Sequence, residues 1–517
     1  MSAFTPIDWA ICLGYLAIVF ALALWFARGQ NSNEDFFVGG RRMHWLPIGL
    51  SLFAGTISSL SFVGLPSTAA YSDYHLYLAI LCIPVVVTPI VWKFFLPLYF
   101  RMGVTSSYEY VEKRFSRRLR LVCSVLFMFY TIGWMGNMLR AVGVILEAVF
   151  DLSPMETAGL LIAIGLFATL YTTIGGVKAV VWTDAIQAVA VGGSILLVLF
   201  LAVSKVDGGW STVWQVGNEH GRFAMFNTSL SFSEKRGDLW GAMAFGMFVY
   251  LATHTVNFGA VQRYVSMPSQ AAAGWALVVN GLMVAIVCGV FFVAGSTIFA
   301  FYQQQAARPE AAQTATASIA QTEAAAGTPI AVDTLYDQLK RDDQQDQLLP
   351  RFVMTEIPIP GLIGLLLAGL FAAAMSSIDS GINSMTASVV CDWQSNRHLE
   401  LWYSRLLCAS FGLLSVGVAI MLYFNGGNVF PMIMKIAGMF FGLQLGLFLL
   451  GMTVKRASAA SATIGMVAGF VGLASTFVLD ISHWWYGAVT CVPTFVVGLV
   501  ASFLCSPDAK SETVSAP

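Results

Sequence analysis

Runs of roughly 20 mostly apolar residues, the length a helix needs to cross the hydrocarbon of a bilayer, recur along nearly the whole chain. They fall at roughly 7–26, 45–71, 74–100, 121–149, 157–174, 182–203, 239–257, 273–302, 359–389, 404–424, 428–451, 461–479 and 486–504. Only helices or closed barrels satisfy their backbone polar groups in lipid, and segments of this length and uniform apolarity are helical. The expected fold class is therefore an all-α integral membrane protein with about 13 transmembrane helices. A mean hydropathy of +0.74 and 11% charged residues exclude a water-soluble domain. The net charge of −1 gives no reason to expect a nucleic-acid partner. Eight scattered cysteines without a C-x-x-C pair offer neither a zinc site nor a disulfide framework.

No basic residue precedes the first span, so it reads as retained and not as a cleaved leader. Basic residues gather in the short loops of one side: Arg28, Arg41, Arg42, Arg101, Lys113, Arg114, Arg117, Arg118, Arg120, Lys178, Arg263, Arg397, Lys455 and Arg456. The positive-inside rule then puts the amino terminus outside and the carboxyl terminus in the cytoplasm, as an odd number of spans requires. Two long loops, Lys205 to Asp238 and Tyr302 to Pro358, fall outside. Within the second, the Ala/Gln/Thr-rich run Gln303 to Gly327 is expected to be mobile, because it cannot bury enough apolar surface to fold. The polar tail 506–517 is too short to form a domain.

Two spans carry polar groups that a lipid-facing helix would not. Between Leu50 and Tyr71, Gly55, Gly64 and Pro66 accompany Ser51, Thr56, Ser58, Ser59 and Ser61, which makes a poor uninterrupted helix. Single small and hydroxyl residues also serve close helix packing, but a cluster of them offers backbone and side-chain oxygens to a dehydrated ion. The ninth span places Ser376, Ser377, Asp379, Ser380 and Asn383 on consecutive turns. A carboxylate within a span costs several kcal/mol unless it meets water, a cation or a basic partner, so Asp379 is a functional candidate with a structural ion pair as the alternative. Asp184 opens the sixth span, where it would otherwise read as an N-terminal acid complementing the helix dipole. Oxygen donors without clustered His or Cys suit an alkali cation better than a transition metal.

These residues, with EDFFVGGR at Glu34–Arg41, TSSYEYVEKRF at Thr105–Phe115, GGVKAVVWTDAIQ at Gly175–Gln187 and VQRY at Val261–Tyr264, strongly resemble the sodium/solute symporter family over nearly the whole chain. Within it the chain most resembles the branch carrying sialic acid, monocarboxylates, vitamins and iodide. The resemblance implies a LeuT-type core of two inverted five-helix repeats, 45–203 and 239–451, with broken first and sixth core helices. One peripheral span (7–26) precedes it and two (461–504) follow, with 303–358 as a long external loop.

The resemblance implies one sodium between Ala54, Ile57, Ala373, Ser376 and Ser377. It implies a possible second among Asp184, Ser376, Asp379 and Ser380, where Asp379 replaces the family's serine. It places the solute beside Thr56, Ser58 and Ser61, with Trp134, Thr253, His254 and Asn257 as further candidates. His254 also fits a packed membrane histidine. Sialate carriers grip the carboxylate with an arginine at the position of Trp134. Arg140 and Lys435 remain as groups that attract an anion or snorkel toward the outer surface. The expectation is thus a plasma-membrane symporter of sodium and a small polar or anionic solute, without a cofactor or an obligate protein partner. A proton-coupled carrier of the same fold is the nearest rival, since Asp184 and Asp379 can both titrate. A membrane-embedded enzyme is the alternative of another class, which six dispersed histidines do not favour.

Overall fold

The computed structural model describes residues 4–506 apart from 29–35, 38, 234–237, 308–333, 343, 395–399 and 426–428. All regular structure among them is helical. Helix α1 (Pro6–Ala27) starts at a Thr5 capping box, which satisfies amide groups that the first turn leaves open. The next helix is broken: α2 (Trp45–Thr56) and α3 (Ser59–Tyr71) meet at 62°. Ile57 and Ser58 are extended there, and Ser61 Oγ accepts from the Ser58 amide at 3.2 Å, which restarts the helix at Ser59. Helix α4 (His75–Met102) contains two π turns, α5 (Ser107–Arg114) is short, and α6 (Arg117–Phe150) spans again.

Helix α7 (Pro154–Ser204) holds the two spans expected at 157–174 and 182–203, joined by a kink instead of a loop. Its 51 residues are two helical halves that meet at Gly176, whose non-helical φ of 57° and ψ of −169° only glycine adopts easily. At a rise of roughly 1.5 Å per residue it is more than twice a bilayer core, so it crosses twice without a loop. Lys178 is therefore half-buried in a helix, not in a loop. The seventh span is corrected as well. Beyond α8 (Leu239–Thr255) the chain breaks at Asn257, whose side chain caps α9 (Phe258–Val265), and the two halves meet at 52°. Arg263, expected among the loop charges, lies 7% exposed in that half-helix.

Then follow α10 (Gln270–Ala307), α11 (Leu335–Arg341), α12 (Leu348–Glu356) and α13 (Leu362–Trp393). The last crossings are α14 (Leu401–Asn425), α15 (Val429–Thr453), α16 (Ala459–Val478) and α17 (Tyr486–Leu504). Nine described helices or helix runs are long and apolar enough to cross a membrane, and each bent pair adds a span. With α7 crossing twice and the 25-residue α15 long enough to cross, every expected span has a helix.

Burial ranks them. The apolar window of α13 is 89% inside the bundle, whereas that of α1 is 22% inside and faces lipid. Helix α10 packs against both α2 and α3. A Cβ on its Gly295 would stand 2.2 Å from the Pro66 carbonyl, so glycine permits that approach. Of the run Gln303 to Gly327, residues 303–307 finish α10 and the remainder lies outside the described residues. Helices α11 and α12 cover one end of the bundle. Tyr336 of α11 stacks on Tyr71 at 4.3 Å and donates to the Ala70 carbonyl, fastening the cover to the end of α3.

Candidate functional site

At the breaks in α2/α3 and α8/α9 backbone carbonyls leave the helical ladder and accept from side chains instead: Ala54 from Ser376 of α13, Thr255 from Tyr99 and Val256 from Ser107. Ser376 donates to the Ala54 carbonyl at 2.9 Å and to the Ala373 carbonyl at 3.1 Å; Ser377 donates to Ala373 at 3.3 Å. Ala54, Ala373, Ser376 and Ser377 therefore form one buried group of oxygens at the end of α2, beside the extended Ile57. Every donor in that group is neutral. This is the type of site an alkali ion takes, with hydroxyls and carbonyls replacing its water.

A second polar group lies one turn further along α13 and is charged. Asp184, expected at a helix start, sits within α7 with no exposed surface. Its Oδ2 accepts from Ser51 Oγ at 2.5 Å and from Arg263 Nη2 at 3.1 Å. The same guanidinium donates through Nε to Ser51 at 2.7 Å, through Nη1 to the Gly259 carbonyl at 3.2 Å, and through Nη2 to Ser380. Asp379 accepts from Tyr171 at 2.8 Å and from Ser380 at 3.3 Å, and lies within electrostatic reach of Asp184. Asp184 Oδ1 and Gln187 Oε1 have no partner among the described residues. Two carboxyl groups thus face one guanidinium, and the pair is satisfied on one side only. Of the expected second set, Asp184, Asp379 and Ser380 come together here, while Ser376 turns its hydroxyl to the first group.

Between the two broken helices lies a cavity bounded by both groups. It is lined by Thr56, Ser58, Ser61, Trp134, Thr253, His254 and Asn257, all seven expected solute residues, together with Ser377, Ser380 and Arg263. Their availability differs. His254 has both ring nitrogens occupied, Nδ1 by the Tyr250 carbonyl at 2.8 Å and Nε2 by Asn280 Nδ2 at 2.9 Å, which is the packed-histidine arrangement. Thr253 and Thr56 donate to backbone carbonyls at 2.9 Å, and Asn257 caps α9. Sequence reasoning missed the aromatic share of the wall: Phe127, Tyr130, Phe245 and Tyr250. Tyr130 and Trp134 lie 5.8 Å apart on α6, and Phe245 and Tyr250 lie 5.3 Å apart on α8. Arg140 is 4% exposed, with Asp346 of the covering segment within electrostatic reach, so it does not snorkel into open water. The side chain of Lys435 lies outside the described residues.

The model of the sodium:solute symporter family matches residues 36–469. The sodium/sialic acid symporter of Proteus mirabilis is 29% identical over 97% of this chain and 96% of its own. The human sodium-coupled monocarboxylate transporter 1 is 30% identical over 91% of this chain and 73% of its own. A solved Na+-coupled sialic acid symporter, substrate-bound and outward-open, superposes with a TM-score of 0.83 at 28% identity, covering 98% of this chain and 99% of that one. Mhp1, a nucleobase-cation-symport-1 transporter, superposes at 0.51 with 13% identity, which extends the likeness of fold to the wider LeuT class.

Proposed function

This chain belongs to the sodium:solute symporter family, and on that premise we propose that it imports a small polar or anionic organic solute together with sodium by alternating access. The observation that carries the reading is the neutral oxygen group spanning α2 and α13. Sodium held there by Ala54, Ile57, Ala373, Ser376 and Ser377 joins a broken helix to the most buried helix of the bundle. Because Ser377 also lines the cavity, ion and solute share a wall, and each favours the arrangement that binds the other. One bundle then rocks against the other about the shared site, so that both cargoes leave on the opposite side. The segments 45–203 and 239–451 serve as the two repeats in that motion. A second cation fits beside Asp184 Oδ1 and Asp379, where a carboxylate oxygen lacks a partner.

The protein lies in the cell's inner or plasma membrane, with its amino terminus outside and its carboxyl terminus in the cytoplasm. The concentration of basic residues in the loops of one side supports that orientation. Helices α11 and α12 then cover the cavity from outside. The test is the unfolding temperature of the purified protein titrated with sodium or with potassium. Sodium raises it and potassium does not; equal responses to both ions contradict the reading.

A further inference from the structure

The segment TSSYEYVEKRF, Thr105–Phe115, belongs neither to the ion group nor to the cavity lining. It contains α5, which packs on α6. Its side chains divide by partner. Glu109 and Glu112 meet Arg120 of α6, whose guanidinium also pairs with Asp392 at the end of α13 at 2.8 Å. Arg114 is fully buried and donates to the carbonyls of Gly451, Val454, Lys455 and Ala457, at and just beyond the end of α15. Tyr108 donates to Gln444 of α15 at 3.2 Å. These bonds fasten α5 to one body, made of α6, α13 and α15. Ser107 reaches the other way. It too is fully buried, and its hydroxyl donates at 3.0 Å to the carbonyl of Val256, which ends α8 at the break of α8/α9.

We propose that α5 is a strut on the cytoplasmic side and that Ser107 is its latch: the bond to Val256 holds the hinge of the second broken helix at its present angle, and it parts when α8 swings to open the cavity inward. This inference rests on the alternating-access reading and the orientation given above, and goes beyond them by naming the contact that opens. The first argument is where motion is taken up. Helices α4 and α8 pack on each other along one side of the cavity, and α6 and α13 along another. Tyr99 of α4 donates to the Thr255 carbonyl, so the end of α8 travels with α4. Beyond the break, Arg263 holds α9 to α7 and α13. A swing of α8 is therefore absorbed at Val256 and Asn257, where Ser107 grips. The second argument is strength. On the body side α5 is held by carboxylate–guanidinium pairs and a guanidinium bonded to four carbonyls, and charge-assisted bonds of this kind are costly to leave open. On the hinge side one neutral hydroxyl meets one carbonyl, and a neutral bond whose partners take up water on opening is cheap to break. The weak side parts first. Ser107 is a positioning residue, acting on the cavity through Val256.

The experiment is the distribution of distances between spin labels on the purified protein in lipid nanodiscs, with and without sodium. One label is placed at Ala271→Cys, at the start of α10, and the other at Trp402→Cys, at the start of α14, with the half-exposed Cys391 and Cys505 replaced by serine. Both label positions are exposed, and α10 packs on α2, α3 and α4 whereas α14 packs on α6 and α7. The parent protein shows two populations, and sodium favours the shorter distance. Ser107→Ala raises the ratio of the longer to the shorter population about fivefold, the weight of one neutral hydrogen bond. Ser107→Thr, which keeps the hydroxyl, stays near the parent ratio. Ser124→Ala removes another buried hydroxyl, bonded to Ser388 at 2.8 Å between α6 and α13, and leaves the ratio unchanged because both partners belong to one body. A parent ratio in Ser107→Ala, or an equal shift in Ser124→Ala, overturns the latch. Alternating access survives those outcomes, since two populations still answer to sodium. A single distance in every variant, with sodium and without it, contradicts alternating access itself, and the latch falls with it.

Discussion

The two polar groups on α13 lie one helical turn apart and are built on opposite principles. At Ser376 and Ser377 every oxygen is neutral and each hydroxyl is turned to a carbonyl of α2 or of its own helix. At Asp379 and Ser380 the partners are charged, and the Arg263 guanidinium ties α9 to α7 through Asp184. A neutral group costs little to assemble and can take up and give back an ion of low charge, since hydroxyls and carbonyls also satisfy one another. A charged group is expensive to leave incomplete, because an unpaired ion in a low-dielectric interior retains its full desolvation cost. The first arrangement suits a cargo that comes and goes. The second suits a joint that persists, with one open carboxylate oxygen at Asp184 for an additional cation.

The largest effect that would break this contrast is Asp184→Asn. It removes the carboxylate paired directly with buried Arg263 and leaves only the more distant Asp379 to face it, and the expected loss is about 3 kcal/mol of unfolding stability, measured by denaturation in detergent. The double change Asp184→Asn with Arg263→Gln is expected to recover a good part of that loss. A double variant no more stable than the single one would show that the pair is not held as a unit.

Next in size is the paired change Ser376→Ala with Ser377→Ala. It should abolish stabilisation by sodium, which amounts to about 2.7 kcal/mol for an intact site at one hundred times its dissociation constant. Persisting stabilisation of that size would move the main ion site to the charged group. Asp379→Ser sharpens the comparison from the other side. It is expected to keep the response of the neutral group and to lower the steepness of the sodium titration toward that of a single ion. The smallest effect is Tyr171→Phe, which removes one hydrogen bond to Asp379 at a cost of about 1 kcal/mol, read as a shift in the denaturation midpoint.

What the chain reveals before folding follows the same division. The spans are legible because bilayer thickness imposes a length and an apolarity that composition records directly. The break in α2/α3 is legible because serines, glycines and a proline collect in one segment. The break in α8/α9 is not. Its second half is the eight-residue helix Phe258–Val265, and Arg263 in it looks like an ordinary loop charge until its partner on α7 is in view. Asp184 lies about two turns into the second half of α7 and not at its start, because that half begins directly after the kink at Gly176 with no loop between.

A signal for the pair did exist: a carboxylate inside a span calls for a cationic partner, and Arg263 was available to answer it. The hydroxyls around the cavity were foreseeable from residue type. The aromatic wall was not, because rings within apolar spans look the same whether they face lipid, core or cavity, and only the packing of α6 and of α8 against α15 sorts them.

The central claim is that ion and solute move together through the shared wall at Ser377. The most direct measurement is concentrative uptake of a bound solute into vesicles carrying the purified protein, under an imposed inward sodium gradient and with sodium replaced by potassium or choline. The account predicts accumulation above the external concentration that requires sodium and collapses when an ionophore dissipates its gradient. Undiminished accumulation in potassium or choline would contradict it.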